Sequence, residues 1–268
     1  MAERLEGIEP LLPLLEGRAL GIFSDIDGTL APIAPRSEDA RITPPIRDAL
    51  TELLQLGTRV ALITGRTLED ARQTVSIDGV SYGALHGLEL WIDGKLERRA
   101  DVGPYIEAAR IVLGEIRGLR VDGLVVEDKG PIIAFHYRGA VDHRSARTAI
   151  LDAIARSPAA GRFHVQEGRK VVELRPPLKV NKGTALTELA ARLEIGVGVC
   201  LGDDRTDIDM FRAASELQSH GVTVSTVAVR NEEATPDVLA VADYWVAGVR
   251  GVESLLQGIL KAIRSRSR

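Results

Sequence analysis

The sequence contains a single cysteine, Cys200, so no disulfide can form within the chain, and a lone thiol fits a reducing compartment. No apolar run approaches the roughly 20 residues that span a bilayer. The opening Met1-Ala2-Glu3-Arg4-Leu5-Glu6 lacks a basic start, a long apolar stretch and a small-residue cleavage site. No signal peptide is therefore expected, and the expected location is cytoplasmic. Neither sign of charge dominates: 34 basic residues stand against 38 acidic ones, a formal net charge of −4. That leaves no global field for a polyanion, so neither nucleic acid nor membrane is an expected partner. Internal repeats and low-complexity blocks are also absent. What remains is a chain of 268 residues, 45% hydrophobic and 27% charged, enough for one large domain or two smaller ones with a core.

Strand and helix patterns alternate along most of it. Ala19–Ser24 is a nearly continuous apolar run, as expected of a strand buried on both faces. Pro44-Pro45 opens a helix that reaches Leu56 and stops at Gly57, and Arg59–Ile63 is a second buried strand. This order predicts a right-handed parallel unit. A helix from Thr67, a strand at residues 82–85 and a hairpin turning at Asp93-Gly94 follow. Residues 101–177 read differently, as an αββαββ block with hairpin connections and hence a mostly antiparallel sheet. Beyond Pro176-Pro177 the parallel pattern resumes: a helix at 183–193, strand 197–201 with Cys200 expected in the core, a helix at 207–214, strands 223–229 and 244–246, and a helix from about Val252. Arg264–Arg268 is expected to fray. The chain therefore reads as one α/β domain interrupted by a smaller α+β insertion.

Three strand ends carry chemistry. Asp25 follows the first strand, Thr64 the second, and Asp203 the strand ending at Leu201. In an open parallel sheet these ends share one edge, where ligands bind, so the residues are predicted to converge. Asp25-Ile26-Asp27-Gly28-Thr29 sets two carboxylates on a glycine turn, and Asp203, Asp204 and Asp207 add three more. Clustered carboxylates raise each other's pKa, and a hard divalent cation such as Mg²⁺ relieves this while leaving positions for water and phosphate. Lys182, at a helix start, can serve a phosphate or an attacking carboxylate. Thr64 and the Gly65 amide can donate to phosphate oxygens. Alone, the Asp25 motif reads as well as a turn or a calcium loop; its convergence with Thr64, Lys182 and Asp203 favours catalysis.

Asp-x-Asp-Gly-Thr at 25–29, Thr-Gly-Arg at 64–66, the helix-initial Lys182 and Gly-Asp-Asp-x-x-Asp at 202–207 resemble the four signatures of the haloacid-dehalogenase-like phosphatases. A finer resemblance, through Leu85-His86-Gly87-Leu88-Glu89, Val126–Gly130, His136-Tyr137-Arg138, Val172–Pro177 and Asn181-Lys182-Gly183, is to the trehalose-6-phosphate phosphatases. Thr64 stands where serine is common in that family, and Ile208 where an acidic residue is frequent. The resemblance implies a Rossmann-like parallel-sheet α/β core at residues 1–100 and 178–268, with an α+β cap domain inserted at 101–177. It implies an enzyme that hydrolyses trehalose 6-phosphate with Mg²⁺, in which Asp25 attacks phosphorus and Asp27 acts as acid and then base. Asp25, the Asp27 carbonyl and Asp203 would hold Mg²⁺. Asp204 and Asp207 would steady the metal's waters or Lys182, and Thr64 and Lys182 would stabilise the transferred phosphoryl group. Whether the protein works beside a trehalose-phosphate synthase stays open.

The resemblance also assigns sugar binding to Glu127, Lys129, Glu173 and a cation at Arg169 or Lys170. Strand alternation puts Glu127 with Lys129, and Arg169 with Glu173, on common faces; a bulge would hand the role to Lys170. Plainer readings stand beside these. Glu127 and Lys129 also read as a simple ion pair. Arg66 reads as a phosphate or substrate contact or as a solvated helix residue, and His86 as a loop hydrogen bond or a substrate contact. His136 and Arg138 read as structural or cap–core contacts, and Trp91 and Trp245 as packing residues.

Overall fold

The computed structural model describes residues 2–16, 19–34, 37–168, 170–231 and 236–266. They divide into two compact units: Arg98–Lys179, and the chain on either side of it.

Along the chain, the flanking unit begins with β1 (Glu3–Arg4), a 3₁₀ segment at Glu9–Leu15 and β2 (Leu20–Ser24), whose five positions are all buried. Thr43 precedes α1 (Pro44–Gln55), with proline in the first turn where the missing N–H costs nothing. Then come β3 (Arg59–Ile63), α2 (Leu68–Val75), β4 (Ser81–Ala84), β5 (Glu89–Ile92) and β6 (Lys95–Arg98). Asp93 and Gly94 both adopt positive φ, 49° and 79°, as a two-residue hairpin turn requires.

The inserted unit holds α3 (Gly103–Glu115), β7 (Val125–Asp128), β8 (Ile133–His136), α4 (His143–Arg156), β9 (His164–Gly168) and β10 (Val171–Arg175). Its sheet runs β7-β8-β10-β9 and every pairing is antiparallel. Alternation sends Phe135, Val172 and Leu174 into a core shared with α3 and α4 residues such as Val112 and Ile150. The opposite face carries Glu127, His136, Glu173 and Arg175.

The flanking unit resumes with α5 (Lys182–Arg192), β11 (Val197–Gly202), α6 (Ile208–Leu217), β12 (Thr223–Arg230), α7 (Pro236–Val241), β13 (Tyr244–Ala247) and α8 (Gly248–Arg266). Its nine-stranded sheet has the order β1-β13-β12-β11-β2-β3-β4-β5-β6, parallel from β1 to β4 and antiparallel between β4 and β5. Neighbouring residues on one strand feed opposite cores. Ile22 joins α1 and α8 on one face, while Phe23 and the fully buried Cys200 join α5 and α6 on the other. This is the expected α/β, Rossmann-like parallel core. β2 leads through α1 to β3 on one side, and β11 lies on its other side. The direction of crossover therefore reverses beside β2, which opens a crevice at its carboxyl end.

Two details differ from the sequence reading. α8 begins a turn earlier than Val252 and is helical as far as Arg266, within the stretch expected to fray, whose last two residues lie outside the described ones: its stripe of Val252, Leu255, Leu256, Ile259 and Leu260 is buried, Arg264 pairs with Glu52, and Arg266 lies 3.3 Å from Glu16. Cations also suit the negative end of a helix. β1 and α7 escaped notice because two and six residues are too short to display a period. No helix among the described residues is long and apolar enough to cross a membrane.

Candidate active site

The crevice gathers residues from four parallel strand ends. Asp25 follows β2, Thr64 follows β3, Asp203 follows β11 and Asn231 follows β12. Lys182 enters from the first turn of α5, which Asn181 caps by accepting the Thr184 amide. Its Nζ donates to Asp25 Oδ1 at 2.6 Å and to Asp207 Oδ1 at 2.7 Å. The other oxygen of Asp207 accepts the main-chain amides of Asp203 (2.8 Å) and Asp204 (2.9 Å). Both oxygens of Asp207 are thereby committed to orienting Lys182 and the Asp203 turn. Asp204 accepts from the Arg205 amide and closes a reciprocal capping box with Asp207.

Asp203 is held on both oxygens, by Thr29 Oγ1 at 3.2 Å and by Asn231 Nδ2 at 2.8 Å; Asn231 also donates to the Gly28 carbonyl. Gly28 has φ +84°, and a Cβ there would lie 2.2 Å from Asp203 Oδ2, so only glycine lets the β2 loop approach this carboxylate. Asn231 was missed in the sequence, although the strand-end rule that found Asp25, Thr64 and Asp203 points equally to the residue after β12.

Asp25, Asp203 and Asp207 each offer an oxygen within 4.8 Å of the others, and all three are buried. Burial is the largest effect on Asp25 and raises its pKa well above the usual range; Lys182 opposes this, but Asp207, Asp203 and Asp27 add to it. Asp203 is pushed up to about 7 by burial and then by Asp207. For Lys182 burial works downward, and the two carboxylates outweigh it, keeping the ammonium charged. Three carboxylates against one ammonium leave a buried excess of negative charge. An all-oxygen donor set of this kind fits a hard divalent cation.

Thr64 is buried; its Oγ1 accepts the Arg66 amide at 3.2 Å, and Thr67 caps α2. At Gly65 a Cβ would lie 2.5 Å from His86 Nε2, so the imidazole occupies the space a side chain would need. The Arg66 side chain is buried rather than solvated. It donates from Nε and Nη2 to the two oxygens of Asp27, both at 2.7 Å, and from Nη1 to Asp70 at 2.5 Å.

In the inserted unit, the register sets Glu127 and Glu173 on either side of Ala134. Lys129 reaches across this small residue to both carboxylates, 3.6 Å from Glu127 and 3.5 Å from Glu173. His136 Nε2 lies 2.9 Å from Glu127, and Arg175, unassigned from the sequence, 3.7 Å from Glu173. Burial pushes Glu127 up, but His136 and Lys129 outweigh it and hold it below the ordinary carboxylate range. Lys170 lies in the exposed turn before β10 with φ +54°, so strand alternation does not extend to it; Arg169 lies outside the described residues.

Residues 23–243 match the family described as trehalose-phosphatase. A Mycobacterium tuberculosis protein named as an uncharacterized glycosyl hydrolase is 36% identical over 223 residues, covering 79% of this chain and 16% of that protein. The trehalose-phosphate phosphatase of Mycolicibacterium paratuberculosis is 36% identical over 223 residues, covering 78% of this chain and 55% of that protein. The chain thus spans about half the length, or less, of these curated relatives. The C-terminal domain of a trehalose-6-phosphate phosphatase from C. albicans shares the fold, with a TM-score of 0.75 at 20% identity over 97% of this chain and 98% of that one. Since the family match covers most of the sequence and takes in Asp25, Asp27, Thr64, Lys182 and Asp203 together, the chain belongs to the trehalose-phosphatase family.

Proposed function

We propose that the protein hydrolyses trehalose 6-phosphate to trehalose and inorganic phosphate, with Asp25 as nucleophile. The supporting observation is the buried arrangement in which Lys182 bridges Asp25 and Asp207 while Asp203 stands within metal-sharing distance. Lys182 occupies Oδ1 of Asp25, and among the described residues Oδ2 is left to attack. Oδ2 bonds to phosphorus as the bond from phosphorus to the sugar oxygen breaks, and Asp27 gives that oxygen a proton. Asp27 then takes a proton from the water that attacks the aspartyl-phosphate, releasing phosphate and restoring the Asp25 carboxylate. Lys182, Thr64 and the Gly65 amide stabilise the charge on the transferred group. Mg²⁺, held by Asp25, Asp203 and the Asp27 carbonyl, would offset the excess negative charge and that of the phosphate. A reaction that supplies trehalose 6-phosphate, such as a trehalose-phosphate synthase, would precede this one.

The polar face of the inserted unit supplies the sugar-recognising groups in this reading. Glu127 and Glu173 accept from hydroxyls and Lys129 donates to oxygens. Phosphate release from trehalose 6-phosphate, sucrose phosphate, mannosyl-phosphoglycerate and glucose 6-phosphate, with and without Mg²⁺, tests the assignment. The expected result is the highest kcat/KM on trehalose 6-phosphate, loss of turnover in EDTA and recovery on adding Mg²⁺. Faster turnover of another sugar phosphate would overturn the substrate, and full activity in EDTA the metal. Glu173→Ala is expected to raise KM for trehalose 6-phosphate by about tenfold or more, the scale of a lost hydrogen bond to a charged group, and to change turnover of 4-nitrophenyl phosphate by less than about twofold. Equal losses on both esters would remove the sugar-binding role.

A further inference from the structure

We infer that Asp70 is a positioning residue for Asp27, acting through Arg66; this deepens the phosphatase reading and rests on it. The Arg66 guanidinium is 6% exposed and is used on two edges. The Nε and Nη2 edge grips both oxygens of Asp27, and Nη1, on the other side, meets Asp70 at 2.5 Å. A planar fork bound on one edge can still rock about its long axis, whereas a second anchor sets its plane. Asp70 suits that purpose because it is itself fixed: it is the third residue of α2, its amide donates to the capping Thr67, and the positive end of the helix favours its carboxylate. The strut therefore runs from a rigid helix start, through Arg66, to the loop after β2, and its Arg66–Asp27 link joins residues 39 positions apart in sequence.

For Asp27 the consequence is directional. The two bonds from Arg66 set the plane of the Asp27 carboxyl, and with it the direction in which an oxygen that carries the proton faces. Asp70 thereby fixes the line along which the proton is delivered as the bond from phosphorus to oxygen breaks. A plainer role is open to Asp70: an acidic residue in a first helical turn stabilises the helix whatever Arg66 does. The two roles part when the need for the proton is varied. A weakly basic leaving group departs without protonation, and a strongly basic one does not.

The test measures kcat/KM, which reports formation of the phosphoenzyme, for 4-nitrophenyl phosphate, phenyl phosphate and trehalose 6-phosphate in wild type, Asp70→Ala and Asp70→Asn. Asp70→Ala is expected to lower kcat/KM about thirtyfold for phenyl phosphate and for trehalose 6-phosphate, within the range of general acid catalysis, and by no more than about threefold for 4-nitrophenyl phosphate. Asp70→Asn keeps an oxygen that accepts from Nη1 and should restore most of the loss. Equal losses on all three esters, or none, would overturn the positioning role and leave the phosphatase reading intact. A wild-type protein that releases phosphate from none of them would overturn both.

Discussion

Asp25→Asn should release no measurable phosphate from trehalose 6-phosphate, a loss of at least about 10⁴-fold, while the protein stays folded. An amide has no anionic oxygen to attack phosphorus, and the oxygens of Asp207 and Asp203 are turned to Lys182, Thr29, Asn231 and two main-chain amides. The stability of the variant follows from linkage. The folded-state pKa of Asp25 lies above its unfolded value, chiefly through burial. The folded state therefore binds the proton more tightly than the unfolded state, and stability is lost as pH rises from the unfolded value through the folded one. Asparagine removes that penalty and still offers Lys182 an oxygen. In metal-free buffer at pH 7 the thermal midpoint of Asp25→Asn should equal or exceed that of wild type. Phosphate release near the wild-type rate would show that another group is the nucleophile.

Lys182→Met should damage both turnover and the fold. The ammonium is 4% exposed and makes two short hydrogen bonds to buried carboxylates. Breaking a buried ion pair by removing one partner costs about 3–5 kcal/mol, because the other charge stays behind without compensation. Here two carboxylates lose their cation, and Asp203 sits beside them. Turnover should fall by about 10²–10³-fold as well, the scale of losing one group that stabilises transition-state charge. The stability deficit has a sign with pH. Lys182 opposes the upward push on Asp25; without the ammonium Asp25 holds its proton more strongly in the folded state, so the gap to wild type widens as pH rises and narrows in acid. Chemical denaturation at pH 5 and pH 8 measures this; a deficit that is the same at both values would contradict the charge argument.

Much of this was legible in the sequence, for local reasons. β2, β3 and β11 are short apolar runs, and that pattern marks a strand with helices on both faces. Once these strands are parallel, their carboxyl ends share an edge, so the placement of Asp25, Thr64 and Asp203 along that edge follows. Asp93-Gly94 has the turn chemistry of a hairpin, and it is one. Where these local signals fail, so does the reading. Lys170 breaks the alternation of β10 because its backbone turns left-handed, and nothing in a lysine side chain announces that.

The sequence by itself determined which elements form, in what order, and which carboxylates stand at their ends, because apolar period and turn residues act over a few positions. Only the tertiary structure decided the partnerships: Arg66 on Asp27 and Asp70, Asn231 on Asp203, Asp207 saturated by Lys182 and two amides, Lys129 spanning Ala134 between Glu127 and Glu173. The physical reason is range. A hydrogen bond is made or lost over less than an ångström, and whether two side chains from distant stretches come that close depends on strand register and helix packing, which no single segment encodes.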